Sequence, residues 1–289
     1  MQDFDFLIPQ TLDELKTALD ETGGRIVAGG TDVIPKMRRG LFSASVLVDT
    51  SRIEGLSFIE EKDGQIQIGA LVTHQEIVES ALLKETSPSL VEAAAKVGCI
   101  QTRNRGTLGG NIANASPAAD TIPPLLTLNA EVRLASQKGE RILSLNEFLL
   151  GPGKTALIPG ELIHSLRFSR LIGIWGTSYL KLGKRNGMAI SVVNAAAAIL
   201  LDSTGQIEQA RLALGSVAPT VVRCPEVESI LIGQAPTSEI LERAAQSVSD
   251  VISPIDDVRA SAAYRAHSAV ILARRALEQA IIHAEERLP

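Results

Sequence analysis

The sequence predicts an α+β protein in two domains. Three observations carry that prediction. The first 50 residues alternate helical and strand patterns. Residues 98–120 form a glycine-rich stretch without periodicity. Beyond Trp175, strand-like runs come first and helix-like runs after. Strands followed by helices place the helices on one face of an antiparallel sheet.

The elements follow in chain order. Thr11 and Glu14 have the spacing of a capping box, and Leu12, Leu15, Ala18 and Leu19 share one helical face, so Thr11–Asp20 reads as a helix ended by Gly23–Gly24. Arg25–Ala28 reads as a strand, residues 31–39 as a helix stopped by Gly40, and Ser45–Asp49 as a strand. Leu56–Glu60 and Gln65–Ile68 read as a hairpin turning at Lys62–Asp63–Gly64. Thr73–Glu79, Ser89–Val97 and Thr121–Leu128 read as helices, and Ala130–Ala135 and Leu162–Phe168 as strands. After Trp175 come strands over Thr177–Leu182, Ala195–Asp202 and Gln209–Gly215. Helices then follow over Pro225–Ile232, Ser238–Asp250 and Ser261–Ala284.

Composition removes several function classes. The 289 residues are 45% hydrophobic and 21% charged, with a formal net charge of −5, an ordinary globular balance. Nucleic-acid affinity rests on cationic side chains and stacking aromatics, and this chain is mildly acidic with 3% aromatics. Two cysteines, Cys99 and Cys224, are too few to hold an iron–sulfur cluster. Each reads as a small buried hydrophobe. The four histidines have no zinc-like spacing and read as structural or surface residues. Met1–Gln10 has neither a basic start nor a long apolar run, and Val192–Leu201 is too short to span a bilayer, so a cytoplasmic setting without a membrane span is expected.

Three segments offer chemistry. Ala28–Gly29–Gly30–Thr31–Asp32 joins a strand to a helix. Glycines let backbone approach a ligand, and successive N–H groups at a helix start form an anion nest. The segment reads equally well as a plain turn capped by Thr31. Thr107–Leu108–Gly109–Gly110–Asn111, within Gly106–Asn114, repeats the glycine pair and offers backbone and amide donors; a self-packed loop is the alternative. Asp120 could accept from ribose hydroxyls or cap the next helix. Two such cradles in one domain suit a dinucleotide, which has two ends and a charged middle. Lys181–Ile190 is a basic segment that could lean over a ligand or simply be a solvated loop. No nucleophile elbow, HExxH or CxxC is present. A bound redox cofactor would supply the missing chemistry.

AGGTD at Ala28–Asp32 and TLGGN at Thr107–Asn111 resemble the two flavin signatures of the FAD subunits of molybdenum hydroxylases. That family includes xanthine dehydrogenase, nicotinate dehydrogenase and the medium subunit of carbon monoxide dehydrogenase. The resemblance extends through Gln101–Asn104, Asn111–Asn114, Gly151–Lys154, Gly160–Ile163 and the stretch from Ala213 through Pro219. It implies a two-lobed FAD-binding domain of the vanillyl-alcohol-oxidase (PCMH) type over 1–171, with lobes of about 1–54 and 55–171. A C-terminal domain of three antiparallel strands and three helices would occupy 172–289. It implies that Ile26, Val27, Ala28, Gly29, Gly30, Thr31, Asp32 and Val33, with Thr107, Leu108, Gly109, Gly110 and Asn111, wrap the cofactor's diphosphate and its surroundings. Asp120, Ile163, Lys181 and, more weakly, Gly98 and Lys154 match further FAD contacts. No residue is expected to be catalytic.

The resemblance also implies partners: a small subunit with two [2Fe–2S] clusters and a large molybdopterin subunit. Electrons would pass through FAD to NAD+ or another acceptor. The 4-hydroxybenzoyl-CoA reductase branch, which carries an inserted [4Fe–4S] loop, is excluded because that insertion is absent. Thr31–Asp32 after the glycine pair leans toward the types that hydroxylate N-heterocycles such as xanthine or nicotinate; carbon monoxide dehydrogenases tend to have His–Ser there. A self-contained flavin oxidase or dehydrogenase of the same superfamily, a carbon monoxide dehydrogenase medium subunit, and a flavin-free partner-binding subunit remain as alternatives.

Overall fold

The computed structural model describes residues 3–288. The chain opens with β1 (Asp5–Leu7), α1 (Leu12–Thr22), β2 (Arg25–Val27), α2 (Val33–Arg38) and β3 (Val46–Asp49), whose strands form a parallel sheet in the order β1-β3-β2. Thr11 caps α1 by accepting from Glu14 N at 3.1 Å, but the Glu14 carboxylate accepts from Gln10 N rather than from Thr11. The predicted capping box is therefore shifted by one residue on its return arm. Gly23, at φ 60°, ends the helix in the left-handed region that a glycine adopts without penalty.

Next come β4 (Ile59–Lys62), β5 (Gln65–Gly69), α3 (His74–Glu79), α4 (Ala81–Thr86), α5 (Pro88–Ala95), α6 (Ile100–Arg103), α7 (Leu108–Ala113) and α8 (Ile122–Thr127). They are followed by β6 (Glu131–Ser136), β7 (Gly139–Ser144), α9 (Leu145–Phe148), the ribbon β8 (Leu149–Gly151) with β9 (Lys154–Thr155), and β10 (Leu162–Ser169). An antiparallel sheet runs β4-β5-β10-β6-β7. The first hairpin sits three residues later than predicted at its start, because Leu56 is drawn into the core with Leu15, Leu19, Ala135 and Leu162. Its turn is Asp63–Gly64, both at positive φ, as a two-residue hairpin demands.

The chain ends with β11 (Ile174–Gly183), β12 (Ser191–Leu201), β13 (Ile207–Gly215), β14 (Val222–Arg223), α10 (Pro225–Leu231), α11 (Ser238–Gln246) and α12 (Ala262–Glu285). The sheet order is β11-β12-β13-β14, so the three expected strands gain a fourth, short one. The helix expected over Ser238–Asp250 tightens into a 3-10 turn at Ser247–Asp250.

Every residue of β12 is buried, which explains its unbroken apolar run. Val193, Ala195, Ala197 and Ile199 pack with Ala273, Ala276, Leu277 and Ala280 of α12. The opposite face packs on the N-terminal domain: Ala196 and Tyr179 contact Ala93 of α5. Alanines let the layers approach closely. Gly176 takes this furthest, since a Cβ there would overlap the backbone of Ala280 and Ala284. No helix among the described residues is long and apolar enough to cross a membrane.

Candidate functional site

The two glycine segments meet. A Cβ on Gly29 would overlap the Arg105 carbonyl, so the first turn lies backbone to backbone against the residues leading into the second. A Cβ on Gly106 would come within 3.4 Å of Thr31 Oγ1, so Thr31 sits at the same junction. Across the gap, Lys36 Nζ of α2 donates to Asn114 Oδ1 at 2.8 Å. The same ammonium pairs with Asp32 at 2.7 Å, offsetting the one carboxylate beside the turn.

The turns are not equivalent in what they offer. Among the described residues, no protein acceptor receives the N–H groups of Gly29, Gly30, Thr31 and Asp32. Gly30 is at φ 69°, where glycine curls successive N–H groups toward one side. The second segment's amides are already engaged. Leu108 N donates to Val72 O, Gly109 N to Ala70 O, Gly110 N to Thr107 Oγ1 and Asn111 N to Thr107 O. The expectation that this loop supplies many backbone donors is therefore corrected: those groups build α7 and dock it on residues 70–72. What it offers is close approach at Gly110, which is exposed and has only Thr107 Oγ1 within reach of an added Cβ. The cap expected of Thr31 also fails; Asp32 holds the N-cap position of α2 and makes no side-chain cap bond.

Asp120, read from the sequence as a ribose acceptor or a helix cap, has its carboxylate already engaged. It is buried beneath the C-terminal sheet. Its Oδ1 accepts from Tyr179 Oη at 2.7 Å, Ser191 Oγ at 2.6 Å and Asn194 Nδ2 at 3.2 Å, and its Oδ2 from Lys181 Nζ at 2.6 Å. Burial and the adjacent carboxylate push the Tyr179 phenol well above its usual value, which keeps it a donor. Lys181 also donates to Lys96 O at 3.0 Å. These bonds join α8 and α5 to β11 and β12. Ribose hydroxyls would find little acceptor capacity left on this carboxylate, and it does not cap α8 either.

The remaining predicted residues scatter around this centre. Ile26 and Val27 lie in β2, Ala28 leads into the turn and Val33 opens α2. Gly98, at φ 49°, accepts from Met188 N at 3.3 Å, so the 184–190 loop leans onto it through its backbone, while Lys184 Nζ donates to Val258 O at 2.7 Å. Ile163 puts its side chain into the core, one residue from His164, whose carbonyl accepts from Ala70 N at 3.0 Å. Lys154 stands exposed on the β8–β9 ribbon and hydrogen-bonds to neither turn. Cys224 is buried and its thiol is pushed up to about 12, an inert group as expected.

His74, one of four scattered histidines that read as structural or surface residues, is buried and donates from its backbone N–H to Gly106 O of the second segment. Burial lowers its pKa to about 4, partly opposed by Asp120 and helped by Arg103. The unfolded chain therefore takes up a proton near pH 6.5 that the folded chain refuses until about pH 4. Stability should fall as pH drops through that window, by about 3 kcal/mol from this group. The half-buried His164, also lowered, adds in the same direction. Urea midpoints of the flavin-free protein at pH 7 and pH 4.5 measure the difference, and His74→Phe should shrink it.

A diphosphate fits what these residues present: four unpaired N–H groups, a neutralised carboxylate, and an exposed glycine at Gly110. Comparison with known proteins points the same way. A family model described as the FAD binding domain in molybdopterin dehydrogenase matches residues 2–169, and one described as the CO dehydrogenase flavoprotein C-terminal domain matches residues 178–280. The 6-hydroxypseudooxynicotine dehydrogenase complex subunit alpha of Paenarthrobacter nicotinovorans is 33% identical, with 96% of this chain and 94% of that protein aligned. The nicotinate dehydrogenase FAD-subunit of Eubacterium barkeri is 30% identical, over 93% of each. A chain of the reconstituted CO dehydrogenase from Oligotropha carboxidovorans superposes with a TM-score of 0.94 at 29% identity, covering 98% of this chain and 99% of that one.

Proposed function

Because the chain belongs to the FAD-binding subunits of the molybdenum hydroxylase family, we propose that it is the electron-transfer subunit of such an enzyme. In this reading it takes electrons from the [2Fe–2S] clusters of a partner subunit and delivers them to NAD+ or another acceptor. A third, molybdopterin-bearing subunit oxidises the substrate, an N-heterocycle of the xanthine or nicotinate kind. Bound FAD supplies a carrier that exchanges electrons with one-electron and two-electron partners alike.

The observation that carries the reading is the row of unpaired N–H groups on Gly29–Asp32, held against the Gly106–Gly110 segment. This chain's residues bind and orient. Gly29–Asp32 hold the diphosphate, and Gly110 leaves room for it. The Asp120–Lys181–Tyr179 cluster fixes the C-terminal sheet against the site, and the loop around Met188 covers the Gly98 turn. The N-heterocycle preference rests on Thr31–Asp32 and on the names of the two relatives above.

Purification from the native cell tests the assignment. The chain should travel with one iron–sulfur chain and one molybdopterin chain, and its absorbance should show flavin bands near about 370 and 450 nm. Alone, it should leave organic substrates untouched. Substrate oxidation by the isolated chain would favour a self-contained oxidase and overturn the proposal.

A further inference from the structure

His74 is the polar side chain that the fold's own contacts leave bare beside the first turn. A capping box fixes it at the start of α3: Thr73 Oγ1 accepts from Glu76 N at 3.2 Å, and the Glu76 carboxylate accepts from Thr73 N at 2.7 Å. His74 N donates to Gly106 O at 3.0 Å, so the residue is tied directly to the second segment. A Cβ on Gly106 would lie 3.3 Å from His74 Cδ2 and 3.4 Å from Thr31 Oγ1. The Cδ2 side of the ring therefore borders the junction where Thr31 meets Gly106. The side chain is 2% exposed, and Nδ1 is fully covered without a partner. Nε2 likewise bonds to no described residue. Buried polar atoms nearly always have partners. An unpaired imidazole that shares Gly106 as a neighbour with Thr31, whose turn carries four unpaired backbone N–H groups, points to one ligand that satisfies both.

We propose that His74 is a cofactor-binding residue, donating a hydrogen bond from Nε2 to the diphosphate held on Gly29–Asp32. The proposal rests on the reading of that turn as the diphosphate cradle. Burial keeps the ring neutral at pH 7, so it carries one N–H and one bare nitrogen. The covered Nδ1 is the bare one, because an orphaned acceptor is tolerated better than an orphaned N–H. The Nε2–H form then aims its donor at an anion without bringing a charge into the core.

The full chain, freed of flavin, should be titrated with FAD, ADP and riboflavin. His74→Phe keeps a ring and removes the donor. It should weaken FAD and ADP by about tenfold or more, as loss of a hydrogen bond to a charged group does, and leave riboflavin unchanged. His74→Gln, whose amide nitrogen reaches the Nε2 position, should recover most of the loss. His74→Asn, which reaches the Nδ1 position, should not. Should the Phe variant fail to fold, the contrast between Gln and Asn decides. Equal losses for riboflavin and FAD, equal behaviour of Gln and Asn, or no loss in any variant would overturn the assignment while leaving the cradle standing. A wild-type chain that binds neither FAD nor ADP would overturn the cradle, and this assignment with it.

Discussion

Gly29→Ala should abolish FAD retention and destabilise the flavin-free protein by about 1–3 kcal/mol. The added methyl falls on the Arg105 carbonyl, and backbone cannot step aside as a flexible side chain does. To make room, the first turn must part from the residues that lead into the second. The unpaired N–H groups of Gly29–Asp32 then lose their alignment on a shared anion. Flavin content per chain and the urea midpoint of the flavin-free variant measure the two effects, and both should drop. A variant that keeps its flavin would mean that the junction is not part of the cradle.

Asp120→Ala should cost about 3–5 kcal/mol, the usual penalty for breaking a buried pair and leaving its partner charged. Lys181 would keep only the Lys96 carbonyl, and Tyr179 and Ser191 would lose their acceptor. Because the cluster joins the two domains, the C-terminal sheet should loosen first. Hydrogen exchange in β11 and β12 reports that loosening. Lys181→Met in the same chain should restore part of the loss, since removing both charges is far less costly than removing one. A single variant within about 0.5 kcal/mol of wild type would show that the cluster is not what holds the sheet in place.

Much of this architecture was legible in the sequence because local rules and tertiary demands agree. The Thr11 cap, the Asp63–Gly64 turn and the strand-then-helix order of the C-terminal half all survive in place. The glycine pairs marked the site because glycine is the residue required where backbone meets backbone or ligand. Their division of labour was not legible. Gly29 serves packing against Arg105, Gly30 serves the turn, Gly109 serves docking on Ala70, and Gly110 is the exposed one, with Thr107 Oγ1 alone against its missing Cβ. A dipeptide cannot say which surface its missing Cβ would meet.

The surroundings of two further residues were hidden for the same kind of reason. Asp120 looked like a free acceptor because its partners lie 59 to 74 residues away, on strands of the other domain. His74 looked incidental because neither its burial nor its closeness to Thr31 and Gly106 has a local signal. The short strands β1, β7, β8 and β9 and the helix α4 escaped notice too. Each is six residues or fewer and too short for a periodic pattern to stand out.

The claim at the centre is that one FAD sits with its diphosphate on Gly29–Asp32 and close to Gly110. Titration of the flavin-free chain with FAD, beside its Gly110→Val variant, tests it most directly. Wild type should take up one FAD per chain. The valine variant should lose FAD binding; its Cβ would press on Thr107 Oγ1 at 3.0 Å, so the urea midpoint of the flavin-free variant is measured beside it to separate loss of the cradle from loss of the fold. A wild-type chain that is colourless and refuses added FAD, or a valine variant that binds FAD undiminished, would contradict the account.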